Sequence, residues 1–179
     1  VRTVSCYSDI IAMRHPKEGA PLVASMHSLV PVINAGDGGH NHPTQTLTDL
    51  LTIHREMGRF ENLTVGLCGD LKFGRTVHSL SHFLAYYNVK LNYVAPASLQ
   101  MPDSCIADLA ARGIEQHKSE ELTDAILAET DILYVTRIQQ ERFASQEEYL
   151  KYKGVYVIDK ATVLKGKPTM VRLRGDREE

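Results

Sequence analysis

The sequence predicts an α/β protein built on a doubly wound parallel sheet, with a partial second α/β domain at its N-terminal end. Three observations carry this. Short, near-continuous apolar runs at 63–68, 90–95 and 131–136 stop at turn residues or polar segments, as suits strands buried on both faces. Between the runs lie stretches with apolar residues at helical spacing. No repeat, low-complexity tract or long Pro/Gly/Ser linker interrupts the alternation.

Taken in order, strands are expected at 9–13 and 30–35, joined by a helix around 17–27, as the end of a neighbouring α/β unit. Leu47, Leu50, Leu51 and His54 fall at i, i+3, i+4 and i+7 and predict one face of a helix after Pro43. Val77, Leu80, Leu84 and Tyr87 do the same after Arg75. Asp103 or Ser104 is expected to cap a helix running to Arg112, with Gly113 as its stop. Ser119 is expected to cap another that ends near Thr130, and a last strand is expected at 154–158.

The 179 residues, 43% hydrophobic and 23% charged, supply a real core and exclude wholesale disorder, within one domain or two small ones. Twenty basic against 22 acidic residues give a net charge of -2, which argues against a nonspecific nucleic-acid or membrane-surface binder. Small anionic ligands stay open, because a few local arginines bind them without changing that balance. Cys6, Cys68 and Cys105 are odd in number and form no CxxC pair, which points to reduced thiols in a cytoplasmic setting. No apolar run approaches the ~20 residues of a membrane span. The start at Val1, without Met or a leader-like stretch, reads as an internal starting point.

In open α/β sheets ligands collect at the carboxyl edge, so the residues that follow each strand are the candidates. Arg14 follows the first strand, and Pro16 disfavours helix at His15, leaving Arg14 at the edge. Its planar fork suits phosphate or carboxylate; a surface ion pair is the plainer alternative. A glycine-rich turn follows the second strand and leads to His40, His42, Pro43 and Gln45. Pro43 fits the first turn of a helix, leaving His42 near an N-terminus that favours an anion and disfavours an imidazolium. Two readings stand for His42. It is a capping or solvent-facing residue, or a neutral imidazole donating to a ligand carbonyl that Gln45, one turn on, also reaches. The spacing of Asp37, His40 and His42 is not that of an established metal motif, so no metal is expected.

Gly69, Asp70, Lys72, Gly74 and Arg75 follow the third strand without forming G-x-G-x-x-G, so nucleotide binding is weakly supported. Arg75 opens a helix where its charge opposes the dipole, which a bound anion explains better than stability does. Asp70 is the natural internal partner of a nearby arginine or lysine. Arg137 and Gln139 follow the strand at 131–136, two apart and able to face the same way, while Arg142 with Glu141 reads as a structural ion pair. Four strand ends thus deliver three arginines, a histidine and two glutamines, a set suited to two anionic ligands.

The runs His42-Pro-Thr-Gln-Thr46, Gly69-Asp-Leu-Lys-Phe-Gly-Arg-Thr-Val-His-Ser79 and Tyr134-Val-Thr-Arg-Ile-Gln-Gln-Glu-Arg142 resemble the aspartate carbamoyltransferase family's catalytic chain. Met13-Arg-His-Pro-Lys-Glu-Gly19 and Val32-Ile-Asn-Ala-Gly-Asp-Gly38 match as well, in register from about residue 1 to 171. The sister ornithine family shares the His-Pro-x-Gln element but not the Thr-Arg-x-Gln run. The resemblance implies that residues 1–44 are the C-terminal part of a carbamoyl-phosphate-binding domain and 45–179 an aspartate-binding domain.

It implies transfer of the carbamoyl group of carbamoyl phosphate to the amine of L-aspartate, in pyrimidine synthesis. Arg14, His42 and Gln45 are then expected on carbamoyl phosphate. His42 polarises the carbonyl oxygen and Arg14 holds the phosphate, these two being the catalytic pair. Arg75, Arg137 and Gln139 are expected on the aspartate carboxylates. No cofactor, nucleic acid or membrane is implied. Family members are cytoplasmic homotrimers with shared sites, some bound to regulatory chains or fused to other pyrimidine enzymes. Two departures stand out. The family's Ser-Thr-Arg-Thr phosphate loop and mobile lysine loop do not occur in this sequence, and residues 172–179 leave the family pattern. The segment alone is therefore expected to be inactive. A truncated or non-catalytic paralogue that binds a dicarboxylate or a partner chain is the alternative. A nucleotide-binding domain, resting on residues 69–74 alone, ranks behind both.

Overall fold

Each described strand pairs in parallel, which brings the carboxyl ends of neighbouring strands to one edge. The computed structural model describes residues 1–38, 40–136, 146, 150, 156 and 158–175. A short helix α1 (Arg2–Ser5) precedes β1 (Ile11–His15), α2 (Ala20–His27) and β2 (Val32–Asp37), and β1 and β2 form a two-stranded sheet. Helix α3 (Pro43–Met57) leads to a second, five-stranded sheet.

That sheet contains β3 (Thr64–Cys68), β4 (Lys90–Val94), β5 (Glu115–Ser119), β6 (Ile132–Val135) and β7 (Val171–Arg174), in the order β5-β4-β3-β6-β7. The chain builds outward from β3 through β4 to β5, then returns to the other side of β3 with β6. The crevice between the ends of β3 and β6 is therefore the topological switch point. Helices α4 (Arg75–Leu84), α5 (Asp103–Ala111), α6 (Asp124–Glu129) and α7 (Lys160–Leu164), with a short 3-10 turn at Ala97–Leu99, complete the described elements.

Strand alternation divides the core in two. Val65, Leu67, Leu91, Tyr93, Ile132, Tyr134 and Leu173 join Leu50 and Ile53 of α3, Val77, Leu80 and Leu84 of α4 and Leu109 of α5 in one cluster. Cys68, Val94 and Leu133 form the other with Ile126 and Leu127 of α6. Both faces of the sheet are thus covered, as the apolar strands required. Burial in this dry interior pushes the Cys68 thiol up to about 12, which leaves it protonated and inert.

The structure departs from the sequence reading in several places. Polar β5 (Glu115–Ser119) was not expected; as an edge strand it needs no apolar run, only the backbone of β4 beside it. Strand β7 places Val171–Arg174 at the end of the sheet against β6, where the sequence showed only a departing tail. Pro102, not Asp103 or Ser104, precedes α5, and Asp103 ion-pairs with Lys118 at 3.2 Å. Thr123, not Ser119, caps α6 by accepting the Ile126 N–H, because Ser119 belongs to β5. Of the strand expected at 154–158, positions 154, 155 and 157 lie outside the described residues.

One close contact fixes the switch point. Gly69, just past β3, has φ +113, and a Cβ there would collide with the Thr136 carbonyl and lie 2.6 Å from its hydroxyl oxygen. Thr136 in turn donates its N–H to the Cys68 carbonyl at 2.8 Å. Gly69→Ala therefore meets both strain and overlap and is expected to cost ~2–4 kcal/mol. Gly113→Ala, at φ +78 with open space around it, is expected to cost ~1 kcal/mol. Urea unfolding of the two variants checks this; equal losses would contradict the account.

Candidate active site

The turn between β2 and α3 organises the site, and a buried carboxylate organises the turn. Asp37, 3% exposed, accepts the Gly19 N–H through Oδ2 and the Asn41 N–H through Oδ1, both at 3.0 Å. His40 Nδ1 lies 3.2 Å from Oδ2. Burial pushes its pKa up, but hydrogen bonds from Gly19, Asn34, His40 and Asn41 outweigh that and hold it at about 2. The Gly38 N–H donates to the His15 carbonyl at 2.9 Å, which ties the turn to the end of β1. Nothing in the spacing of Asp37 had marked it as more than a weak metal candidate. Among the described residues, no group of three His, Cys, Asp or Glu side chains is arranged to hold a metal ion.

Past the turn, His42 is the N-cap of α3. Its Nδ1 accepts the Gln45 backbone N–H at 3.3 Å, satisfying one donor of the open helix end. An Nδ1 that accepts carries no proton, so the neutral ring bears its hydrogen on Nε2. Of the two readings of His42, the structure shows the capping one, and a ring that accepts at Nδ1 is compatible with the other.

Helix α4 grips the same turn from the other sheet. Arg75, its first residue, donates from Nη1 to the Gly38 carbonyl at 2.6 Å. Ser79, one turn on, donates to Asn41 Oδ1 at 3.2 Å, and its hydroxyl accepts the His42 N–H at 3.5 Å. Arg75 and Ser79 share a helix face at i and i+4, a signal the sequence contained but that the search among strand ends passed over.

Three of the expected residues meet at Gly36. A carbon attached there would lie 3.7 Å from Arg75 Nη1, 3.7 Å from His42 Cδ2 and 3.8 Å from Arg14 Cγ. Gly36 has φ +119, a conformation glycine adopts without strain. Beside it opens a cavity of about 330 Å³ lined by Arg14, His15, Pro16, Gly38 and Arg75. Among the described residues that line this space there are two guanidinium groups and no carboxylate, the composition of an anion site. Among the described residues no ion pair involves Arg14.

The other expected residues among those described have partners of their own. Gln45 donates from Nε2 to Asp49 Oδ1 at 2.9 Å, one turn further along α3. Asp70 accepts the Phe73 N–H at 3.0 Å and so shapes the turn before α4. Its neighbour His78 donates from Nε2 to the Leu71 carbonyl at 2.7 Å, and burial pulls its pKa down. Arg137, Gln139, Glu141 and Arg142 lie outside the described residues.

The buried face of α3 consists of Thr46, Asp49, Leu50 and Ile53, whereas Leu47 and Leu51 are 63% and 50% exposed. The expected stripe of Leu47, Leu50, Leu51 and His54 is thus offset from the true one. Asp49 turns inward because Gln45 and Tyr134 hydrogen-bond it, an effect that apolar periodicity does not register.

Residues 1–55 match the family model described as aspartate/ornithine carbamoyltransferase, carbamoyl-P binding domain, and 61–173 the one described as its Asp/Orn binding domain. The aspartate carbamoyltransferase catalytic subunit of Clostridium novyi is 55% identical over 97% of this chain and 56% of its own length. That of Clostridium acetobutylicum is 49% identical over 97% of this chain and 57% of its own. Among solved structures, Trypanosoma cruzi aspartate transcarbamoylase in complex with carbamoyl phosphate and aspartate superimposes with TM-score 0.87 at 40% identity, over 97% of this chain and 57% of that one. The catalytic subunit of M. jannaschii aspartate transcarbamoylase gives 0.84 at 46% identity, over 97% and 55%. The chain spans a little over half the length of the relatives it matches.

The depressed acidity of Asp37 has a consequence for stability. A carboxyl group whose folded pKa lies below its unfolded value of about 3.8 stabilises the fold above that value. The contribution, roughly 2 kcal/mol, is lost as pH falls from about 4 towards 2. Asp37→Asn is expected to be less stable at neutral pH and to show a shallower acid limb. Circular dichroism across pH 2–7 checks this; an unchanged acid limb would contradict it.

Proposed function

The chain belongs to the aspartate/ornithine carbamoyltransferase family, and from that premise we propose that the protein carrying it is an aspartate carbamoyltransferase. It transfers the carbamoyl group of carbamoyl phosphate to L-aspartate, giving N-carbamoyl-L-aspartate and phosphate for pyrimidine synthesis. The observation that carries the reading is the meeting of Arg14, His42 and Arg75 around Gly36, beside a cavity lined by two arginines.

In this reading Arg14 binds the phosphate, and His42 Nε2–H donates to the carbonyl oxygen of the carbamoyl group. The neutral amine of aspartate attacks the carbonyl carbon, forming a C–N bond while negative charge gathers on that oxygen. His42 and Arg14 stabilise the charge without prior rearrangement, which is where preorganised donors contribute most. The tetrahedral intermediate then collapses. The bond between the carbonyl carbon and the bridging phosphate oxygen breaks, phosphate leaves with the electron pair, and it accepts the proton that the amine loses. No protein nucleophile takes part; the protein supplies position and electrostatics.

Arg75 borders the same cavity from α4 and is suited to an aspartate carboxylate placed next to the carbamoyl group. Arg137 and Gln139, carried over from the family motif, complete the aspartate clamp, and Gln45 contacts carbamoyl phosphate. The reading extends to a cytoplasmic homotrimer with sites shared between subunits. The exposed apolar side chains of α2 (Leu22, Val23, Met26) and α3 (Leu47, Leu51) support further covering of this unit, by the rest of the chain or by other subunits.

Loss of His42 tests the chemistry. In the full-length chain His42→Ala is expected to lower kcat for N-carbamoyl-aspartate formation by about 10²–10³, with the KM for carbamoyl phosphate changed far less. Arg137→Ala is expected to act mainly on the KM for aspartate. Colorimetric assay of the carbamoylated product checks both. Unchanged kcat in the first variant, or unchanged aspartate dependence in the second, would overturn the assignment of that residue.

A further inference from the structure

Asp49 is 5% exposed and holds two partners at once. Its Oδ1 accepts the Gln45 side-chain Nε2–H at 2.9 Å, and its Oδ2 accepts the hydroxyl of Tyr134, itself fully buried on β6, also at 2.9 Å. The link joins α3, which carries His42 and Gln45, to the strand that stands three residues before Arg137 in the sequence. Tyr134 is held in its turn: a carbon attached to Gly175 would lie 2.7 Å from its hydroxyl, so its ring is packed against bare backbone there.

We infer that Asp49 is a positioning residue that fixes the polarity of the Gln45 carboxamide and so makes the site selective for an acyl phosphate bearing an N–H group. The inference rests on the carbamoyl-transfer reading given above. Asp49 Oδ1 accepts from the carboxamide nitrogen, so the end of the carboxamide turned to Asp49 is Nε2. The end that remains to meet a ligand is Oε1, an acceptor. His42, at the cap of the same helix, offers the opposite polarity through Nε2–H. One donor and one acceptor set within the first turn of α3 match the two ends of a carbamoyl group, whose oxygen accepts and whose NH₂ donates. An acetyl group offers the same oxygen but a methyl in place of the NH₂, and gives Oε1 nothing to accept. The selectivity is a matter of buried polar pairing, the kind of contact that discriminates strongly between isosteres.

Asparagine at position 49 keeps the shape and still accepts from Tyr134, but its amide can donate to Gln45 Oε1 and turn the carboxamide round. Calorimetric titration of the full-length chain with carbamoyl phosphate and with acetyl phosphate tests this. In Asp49→Asn the Kd for carbamoyl phosphate is expected to rise about 10- to 100-fold, while that for acetyl phosphate stays within about twofold. In a Gln45→Ala background the same substitution is expected to change neither, because the carboxamide it controls is gone. Tyr134→Phe provides an independent reading should Asp49→Asn fail to fold; it loosens Oδ2 and is expected to cause a several-fold loss confined to carbamoyl phosphate. Equal losses for both ligands, or an undiminished Asp49→Asn effect without Gln45, would mean that Asp49 only supports the fold, and would overturn the proposal. Wild-type protein that shows no preference for carbamoyl phosphate over acetyl phosphate would reject the underlying reading and the proposal with it.

Discussion

A helix that begins with an imidazole as its cap ties protein stability to the protonation state of that ring. The exposed N–H groups of the first turn of α3 require an acceptor, and His42 Nδ1 provides one only while unprotonated. The helix dipole adds a penalty for imidazolium at the same place. The demand of the fold and the demand of a hydrogen-bond donor to a carbonyl oxygen therefore coincide in one tautomer. Three neighbours hold the cap in place: Asp37 braces the turn before it, Ser79 accepts its backbone N–H, and Arg75 binds the turn through Gly38.

The last two contacts come from α4, which belongs to the other sheet, so the site is built where the two sheets meet. Helix α3 makes the connection. Its N-terminus carries His42 and Gln45, its buried face packs Leu50 and Ile53 into the core of the five-stranded sheet, and Asp49 reaches Tyr134 on β6. A shift of α3 would move the cap, the glutamine and the β6 link together. That arrangement suits the proposed transfer, which brings two anionic substrates into contact.

Much of this was legible in the sequence because strand ends are where a parallel sheet collects its ligands. Arg14, His42 and Arg75 were singled out on that logic, and the structure brings them round Gly36. The doubly wound sheet was legible from the apolar runs that became β3, β4 and β6. What escaped was held by polar contacts or by an edge. Strand β5 has no apolar run, because among the described strands β4 alone pairs with it. The buried face of α3 includes Asp49, which periodicity assigns to solvent and which two side-chain hydrogen bonds turn inward. The caps Thr123 and Pro102 were displaced from Ser119 and Asp103 because an unforeseen strand occupied the preceding residues in one case, and a proline set the helix start in the other.

The state of the His42 ring is the point on which the fold and the proposed chemistry both turn, and nitrogen NMR observes it directly. A long-range proton–nitrogen correlation spectrum of uniformly ¹⁵N-labelled full-length protein at neutral pH is predicted to show Nδ1 of His42 unprotonated and Nε2 protonated. An imidazolium, or a neutral ring carrying its proton on Nδ1, would contradict the account, because neither can accept the Gln45 N–H while donating from Nε2 as a neutral group.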